Sequence, residues 1–397
     1  MDELKVKVDE QVSSELSLEN NEYLLKYETE DSKKFVSLTM PVRKKTYSHK
    51  QLHPIFEMHL PEGYLLSIIK KHFSKIVRMD DFGLLKVMSP SIKGRLSYHS
   101  NKNHHQDALS IDDLLHPKSE KLFDELVHRF ALNSALSGVQ PKVLATIENK
   151  ATLKTEDYIV KSWGDDYKEL ALNEHYCMSV VKQAGIAVPE FYISDDEKLF
   201  IMKRFDKRDE YSYYGFEDMC VLMAKQRDDK YESTCEQVVK IIKTFVSPRH
   251  KKDSLIQFYK MTILNYLLKN GDAHLKNFGL LYDGLENIWL APAYDVVCTT
   301  TYIKKDVPAL NLMGSKKWWD KKNLIKFGIQ TCDLSNKEAH ELYDTCVVAR
   351  DYVFEGMSQR LKDEKNEDKK TIIQNILETK WHLTLTHNLH LLKLRCF

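Results

Sequence analysis

The sequence predicts an α+β fold in two lobes, sheet-rich in its first half and helical in its second. Short stretches of alternating apolar and polar residues dominate the chain up to residue 202. Beyond Asp206 apolar residues recur instead at i, i+3, i+4 and i+7. The chain is also long enough, at 397 residues with 43% hydrophobic, to bury one large two-lobed domain or several smaller ones.

Bulk chemistry excludes several classes. Lys and Arg number 59 against 58 Asp and Glu, so no broad basic field steers the chain to nucleic acid or anionic lipid. The seven cysteines are scattered, odd in number and free of any CxxC pair, which fits free thiols in a reducing cytoplasm. The N-terminus opens acidic and no apolar run approaches the ~20 residues needed to span a bilayer, so neither signal peptide nor membrane helix is expected.

In chain order, residues 1–20 are polar and rich in Glu and Ser, and predict a frayed terminus. A small α+β unit is expected over 21–110, with a strand at 36–40 and a helix at 63–73. The polar run 101–118 reads as a loop or linker, with a boundary near 110. The next unit, 111–206, has strands at 143–147 and 157–161 and a helix at 167–184, stopped by Gly185 with Pro189 beyond. A hairpin follows, with strands at 191–193 and 199–202 turning through Ser194-Asp195-Asp196. In the helical remainder, 207–397, Leu255, Phe258, Tyr259, Thr262, Ile263, Tyr266 and Leu267 form a buried stripe, with Asn270-Gly271 as its stop. The apolar and basic segment 380–397 reads as a terminal helix.

Chemistry concentrates after that stop. Gly271-Asp272-Ala273-His274-Leu275-Lys276-Asn277 is followed by a strand at 278–282, a tight turn at Asp283-Gly284, a strand at 287–290, and then Asp295. A loop with Asp-x4-Asn, a short hairpin and a further Asp is the order of a protein-kinase catalytic core. Phosphoryl transfer needs a carboxylate beside the incoming hydroxyl and oxygen ligands for Mg²⁺. Asp272 is the candidate base, Asn277 and Asp295 the candidate metal ligands, and Lys276 a neutraliser of developing phosphoryl charge. By itself the loop is equally compatible with Asp272 and Asn277 capping turns.

Upstream residues tip the balance. Lys161 ends a strand, where it can reach α/β-phosphates, and Glu174 lies thirteen residues on in the following helix. Such a pair on its own is also an ordinary solvated surface pair. Lys203-Arg204-Phe205-Asp206 falls where a kinase hinge meets adenine, although Phe205 is equally a core residue. The phosphate loop, Ser137-Gly138-Val139-Gln140-Pro141-Lys142, has one glycine and departs from G-x-G-x-x-G. A zinc site built on His104-His105, or on His382, His387 and His390, lacks clustered cysteines and the usual spacings.

Taken with Asn173-Glu174, Phe56 to Gly63, Asp81 to Leu85 and Gly94-Arg95-Leu96, these motifs resemble the HipA-like toxin kinases of bacteria from about residue 23 to beyond 330. The resemblance implies a bilobal protein-kinase-like fold with an extra N-terminal subdomain. It implies ATP and Mg²⁺ as cofactors, with Ser137, Gly138, Val139, Gln140, Lys142, Lys161, Glu174, Lys203, Phe205 and Asp206 around the nucleotide. It also implies Ser/Thr phosphorylation of a protein such as an aminoacyl-tRNA synthetase, a helix-turn-helix antitoxin through which alone DNA is met, and a bacterial cytoplasmic location, with export into a host cell as the alternative. Autophosphorylation of a loop serine, Ser134 or Ser137, is implied as well. Ala273 stands where a glycine is common in the family. A non-catalytic partner-binding module and a small-molecule phosphotransferase are the competing readings; the Leu60-Pro61-Glu62-Gly63 segment argues against the latter.

Overall fold

The computed structural model describes residues 2–62, 66, 80–98, 110–119, 122–123, 125–126, 142–149 and 154–380. The helix expected at 63–73, the phosphate loop at 134–141 and the segment 381–397 lie essentially outside the described residues.

The first twenty residues do not fray. Strands β1 (Asp2–Val8), β2 (Gln11–Glu19) and β3 (Glu22–Tyr27) form an antiparallel meander, joined through Asp9-Glu10 and Asn20-Asn21. All four of those turn residues have positive φ, the backbone that two-residue hairpins demand. The Glu and Ser content that suggested disorder does not prevent this, because Ser13, Ser14 and Ser17 are themselves buried in the sheet. Leu4, Val6, Val8 and Leu16 fill one face and are buried. β4 (Tyr47–His49) and β5 (Leu96–Ser97) complete a sheet in the order β4-β3-β2-β1-β5.

Residues 36–40 are not a strand. Ser37 Oγ and Leu38 N–H donate to the Glu217 carboxylate at 2.8 Å each, and Ser37 pairs with Met40 across a tight turn, so side-chain bonding outcompetes a ladder here. Helices α1 (Pro54–Glu57) and α2 (Asp81–Met88) pack beneath the first sheet. Within the expected linker, α3 (Ile111–Leu115) forms because Ser110 and Asp113 make a capping box and Leu114 finds a buried site.

A second sheet has the order β6-β7-β9-β8: β6 (Lys142–Asn149), β7 (Lys154–Lys161), β8 (Phe191–Ile193) and β9 (Phe200–Lys203). Alternation divides its faces. Val143, Ala145, Val160 and Ile201 join the core of the first sheet, whereas Phe200 and Met202 join the core of the helical half. Against that second face lies α4 (Leu170–Gln183), which ends where Gly185 takes φ +69° and Ile186 N–H returns to Val181 O.

Beyond Asp206 the helical expectation misses one strand, β10 (Gly215–Asp218). Gly-Phe-Glu-Asp carries little strand propensity, and tertiary pairing with β11 (Gly279–Tyr282) decides it. Gly215 is required there because any Cβ would overlap the Tyr282 ring. β12 (Ile288–Leu290) completes this third sheet, and α5 (Met219–Leu222) follows β10. The remaining helices are α6 (Cys235–Phe245), α7 (Pro248–Leu267), α8 (Lys321–Gln330), α9 (Asn336–Asp363) and α10 (Glu367–Glu378). The whole predicted stripe of α7 is buried. Its stop differs in detail: Lys269, not Gly271, takes the left-handed position. The fold is thus a sheet-rich N-terminal region joined to a helical C-terminal region. Among the described residues no helix is long and apolar enough to cross a membrane.

Candidate active site

The loop after α7 is held from within. Asp272 N–H donates to Asn270 Oδ1 (3.1 Å), and Asn277 Nδ2 donates back to Asp272 O (2.9 Å). Asn277 is buried at the end of a single 3-10 turn, and Phe278 anchors the exit by an edge contact with Phe258 on α7 (5.2 Å between ring centres). The β11–β12 hairpin then returns the chain, so that Tyr294 Oη donates to Lys276 O (2.7 Å) and Asp295 arrives beside the loop. Asp295 has φ +60°, a strained backbone for a non-glycine residue and one that clusters at functional sites.

Three residues far apart in sequence meet across the cleft. Lys161 Nζ, at the end of β7, lies 2.5 Å from Glu174 Oε1 on α4 and 2.7 Å from Asp295 Oδ1. Burial alone would lower the pKa of this ammonium. Asp295 and Glu174 outweigh it and hold Lys161 above the ordinary lysine value. The ordinary surface-pair alternative fails, because both Lys161 and Glu174 are buried.

Asp272 faces the same cavity, of about 850 Å³, which Lys161, Asn277, Asp295 and Phe205 also line. Partial burial pushes its carboxyl pKa up, as does the charge of Asp295, while a 2.6 Å hydrogen bond from Tyr231 Oη opposes them. Burial, reinforced by the Lys230 charge, drops the His274 imidazole to about 3, so this ring is neutral. Lys276 is ion-paired with Glu62, which also reaches Lys230 at 3.5 Å. A carboxylate of the N-terminal region therefore sits on the candidate catalytic loop. Phe205 stacks on Tyr294 (5.3 Å, 27°) and meets Phe216 edge-on (5.4 Å). Half-buried and outside both hydrophobic cores, it forms an aromatic wall of the cavity.

Other expected residues are not brought into the cleft in the same way. Lys203 turns to Glu156 (2.6 Å) and does not line the cavity. Adjacent residues of a strand face opposite ways, so Met202 lines the cleft and Lys203 cannot. Asp206 lines it, but both its oxygens accept from Arg204 at 2.7 Å. Ser134, Ser137, Gly138, Val139 and Gln140 lie outside the described residues, as does the side chain of Lys142. The Lys142 backbone pairs with Lys161, so β6 begins beside the strand end that carries the lysine.

Sequence reasoning did not single out Tyr231 or the ion pair made by Glu62. Tyr231 lies in no motif, and the Phe56 to Gly63 motif that holds Glu62 does not announce its partner; each reaches the loop through tertiary folding.

The donor set suits a nucleotide-bound magnesium ion. Asn277 and Asp295 offer hard oxygen ligands, and Mg²⁺ commonly takes one or two protein ligands with phosphate and water completing its octahedron. Among the described residues no group of three His, Cys, Asp or Glu forms an all-protein cage. Lys161 places an ammonium in the same cavity.

Similarity to known proteins agrees with this geometry. Two Sinorhizobium fredii proteins, Y4dM and Y4mE, both provisionally named as kinases, are 26% identical over 287 residues and 25% over 293. These alignments cover 66% and 67% of this chain, and 66% and 69% of those relatives. A Haemophilus influenzae protein, also provisionally named as a kinase, is 29% identical over 199 residues, covering 42% of this chain and 53% of its own length. The match thus spans about half to two-thirds of these relatives. In structure the chain is similar to Shewanella oneidensis HipA, solved with HipB and operator DNA. The TM-score is 0.71 at 17% identity, covering 96% of this chain and 97% of that one, which shows a shared fold. The HipA N-terminal domain matches residues 4–99 and the HipA-like C-terminal domain matches residues 134–352, so the chain belongs to the HipA-like family.

Proposed function

We propose that this chain is an ATP- and Mg²⁺-dependent protein kinase acting on serine or threonine hydroxyls. The observation that carries this reading is the buried Lys161 ammonium bridging Glu174 and Asp295 in the cavity that Asp272 also lines. The provisional kinase names of the Sinorhizobium and Haemophilus relatives support it.

Bound ATP–Mg²⁺ would supply the phosphoryl group and neutralise the charge that develops on it. Lys161 would hold the α/β-phosphates in place, with Glu174 fixing its position. Asn277 and Asp295 would hold the metal, and Phe205 with Tyr294 would wall the base. Asp272 would orient the acceptor hydroxyl and take its proton. Lys276 would steady transferring charge once its pairing with Glu62 is shared with phosphate.

On the same reading the substrate is a protein, with an aminoacyl-tRNA synthetase as the first candidate from the family resemblance. The solved HipA–HipB–DNA assembly supports an antitoxin partner here, DNA being met through it, and a cytoplasmic setting. Phosphorylation of Ser134 or Ser137 would switch the enzyme off, because added phosphate charge repels ATP.

The test is phosphate incorporation by the purified protein with ATP and Mg²⁺ in a bacterial lysate, read by mass spectrometry. A phosphorylated protein that disappears with Asp295→Asn supports the reading. Tight partner binding without any nucleotide turnover would instead favour a non-catalytic module.

A further inference from the structure

Tyr231 places a hydroxyl of the chain itself on the proposed base. Its Oη donates to Asp272 Oδ1 at 2.6 Å, inside the reach a general base needs to its proton. The ring stands edge-on to His274 (5.2 Å, 79°) and lines the cavity shared by Lys161, Asn277 and Asp295.

The position of this tyrosine is built. Leu275 N–H of the catalytic loop donates to Lys230 O (3.0 Å), and Lys316 Nζ donates to Tyr231 O (3.0 Å). The N-terminal region grips the preceding residues: Arg227 N–H donates to Glu57 (2.7 Å), the Arg227 guanidinium to Asp81 (3.0 Å), and Lys230 reaches Glu62. A simple capping role explains the bond poorly, since the Asp272 side chain is 48% exposed and water can satisfy it. A hydroxyl hydrogen-bonded to a carboxylate in a phosphate-holding cleft is the arrangement of a nucleophile and its base.

We infer that Tyr231 is an intramolecular phosphoryl acceptor of this site, an inference that rests on the kinase reading. In the step, Tyr231 Oη bonds to the γ-phosphorus of ATP as the bond from that phosphorus to the β,γ-bridging oxygen breaks. ADP leaves with the electron pair, and the phenol proton passes to Asp272 and on to solvent. The products are phosphotyrosine and ADP. A phosphate adds about −1.5 to −2 charge beside the carboxylate of Asp272, which repels it. Lys230, whose Nζ lies 5.5 Å from the ring, and Lys316 supply countercharge. The modified side chain therefore leaves Asp272 open to a substrate hydroxyl.

The experiment treats the full chain with phosphatase, removes the phosphatase, adds ATP and Mg²⁺ over a tenfold range of protein concentration, and follows ADP release and phosphosites by tandem mass spectrometry. The expected result is phosphate on Tyr231 approaching one per chain, at a rate independent of protein concentration and lost in Asp272→Asn. ADP release with phosphate on Ser134, Ser137 or another protein, and none on Tyr231, overturns the inference and leaves the kinase reading standing. A rate that rises with protein concentration overturns the intramolecular step. Neither ADP nor any phosphosite would sink both.

Discussion

Asn173 and Cys298 exchange two hydrogen bonds: Asn173 Nδ2 donates to Cys298 O (3.0 Å), and Cys298 N–H donates to Asn173 Oδ1 (2.8 Å). One buried amide thereby stands in for a strand partner, tying α4, which carries Glu174, to the segment leaving Asp295. Cys298 O keeps a second partner in Thr301 Oγ1, but Asn173→Ala strands the buried N–H. The expected loss is about 1–3 kcal/mol. Thermal denaturation should show a lower Tm and calorimetry a weaker Mg²⁺-dependent affinity for nucleotide; no change in either would mean the tie is redundant.

Lys161→Met should be costly for a different reason. It takes the Lys161 ammonium away from the buried Glu174 carboxylate, and breaking one side of a buried pair costs on the order of 3–5 kcal/mol. Lys161→Met with Glu174→Leu should recover much of that stability in urea titrations. Nucleotide binding should stay lost in both. If the double variant binds ATP normally, Lys161 does not hold phosphate.

Much of this site is legible in the sequence, because its order of parts is local. A strand ending in Lys161, a helix bearing Glu174, and a loop and hairpin ending at Asp295 each show their own periodicity, and close packing of those elements brings the side chains together. What is not legible depends on distant pairing. Leu4, Val6 and Val8 do alternate, yet the composition around them hid a strand pair whose turns use Asp9, Glu10, Asn20 and Asn21. β10 exists only because β11 lies beside it. Tyr231 sits in no motif, the motif that holds Glu62 gives no sign of its lysine partner, and the two reach the loop across 41 and 214 residues of chain. Lys203 illustrates the converse, a residue in a motif whose strand parity turns it away from the cleft.

Gly271 is required by space rather than by backbone conformation. A Cβ there would overlap the Asp306 carboxylate and lie 2.8 Å from Val307 O, which is a backbone atom and cannot swing aside. Gly271→Ala should push the 306–307 segment off the catalytic loop, lowering kcat for phosphate transfer at least tenfold, about 1.4 kcal/mol in barrier. Steady-state kinetics check this, and full activity would show that the segment is free to move.

The contributions of Glu217 and Glu57 to stability should fall as pH rises from about 5 to 8. Burial raises the Glu217 carboxyl from 4.5 to about 7, against hydrogen bonds from Leu38, Ser37 and Tyr282. Glu57 is raised to about 7 as well, again by burial. In each case the folded state binds the proton more tightly than the unfolded chain, so the contribution is complete below the unfolded value and is lost as pH climbs through the folded one. The Tm of the wild type relative to Glu217→Gln should therefore be lower at pH 8 than at pH 5.5, the variant having lost this part of the slope. An unchanged slope in that variant would remove Glu217 from the account.

The central claim is that Asp272 is the base of a phosphoryl-transfer site. Its most direct test is the single-turnover rate of phosphate transfer by Asp272→Asn, with ATP affinity measured on the same preparation. The account predicts a rate reduced by about 10²–10⁴-fold or more with ATP affinity preserved, since Asp272 handles the hydroxyl and not the nucleotide. Transfer at the wild-type rate would contradict it.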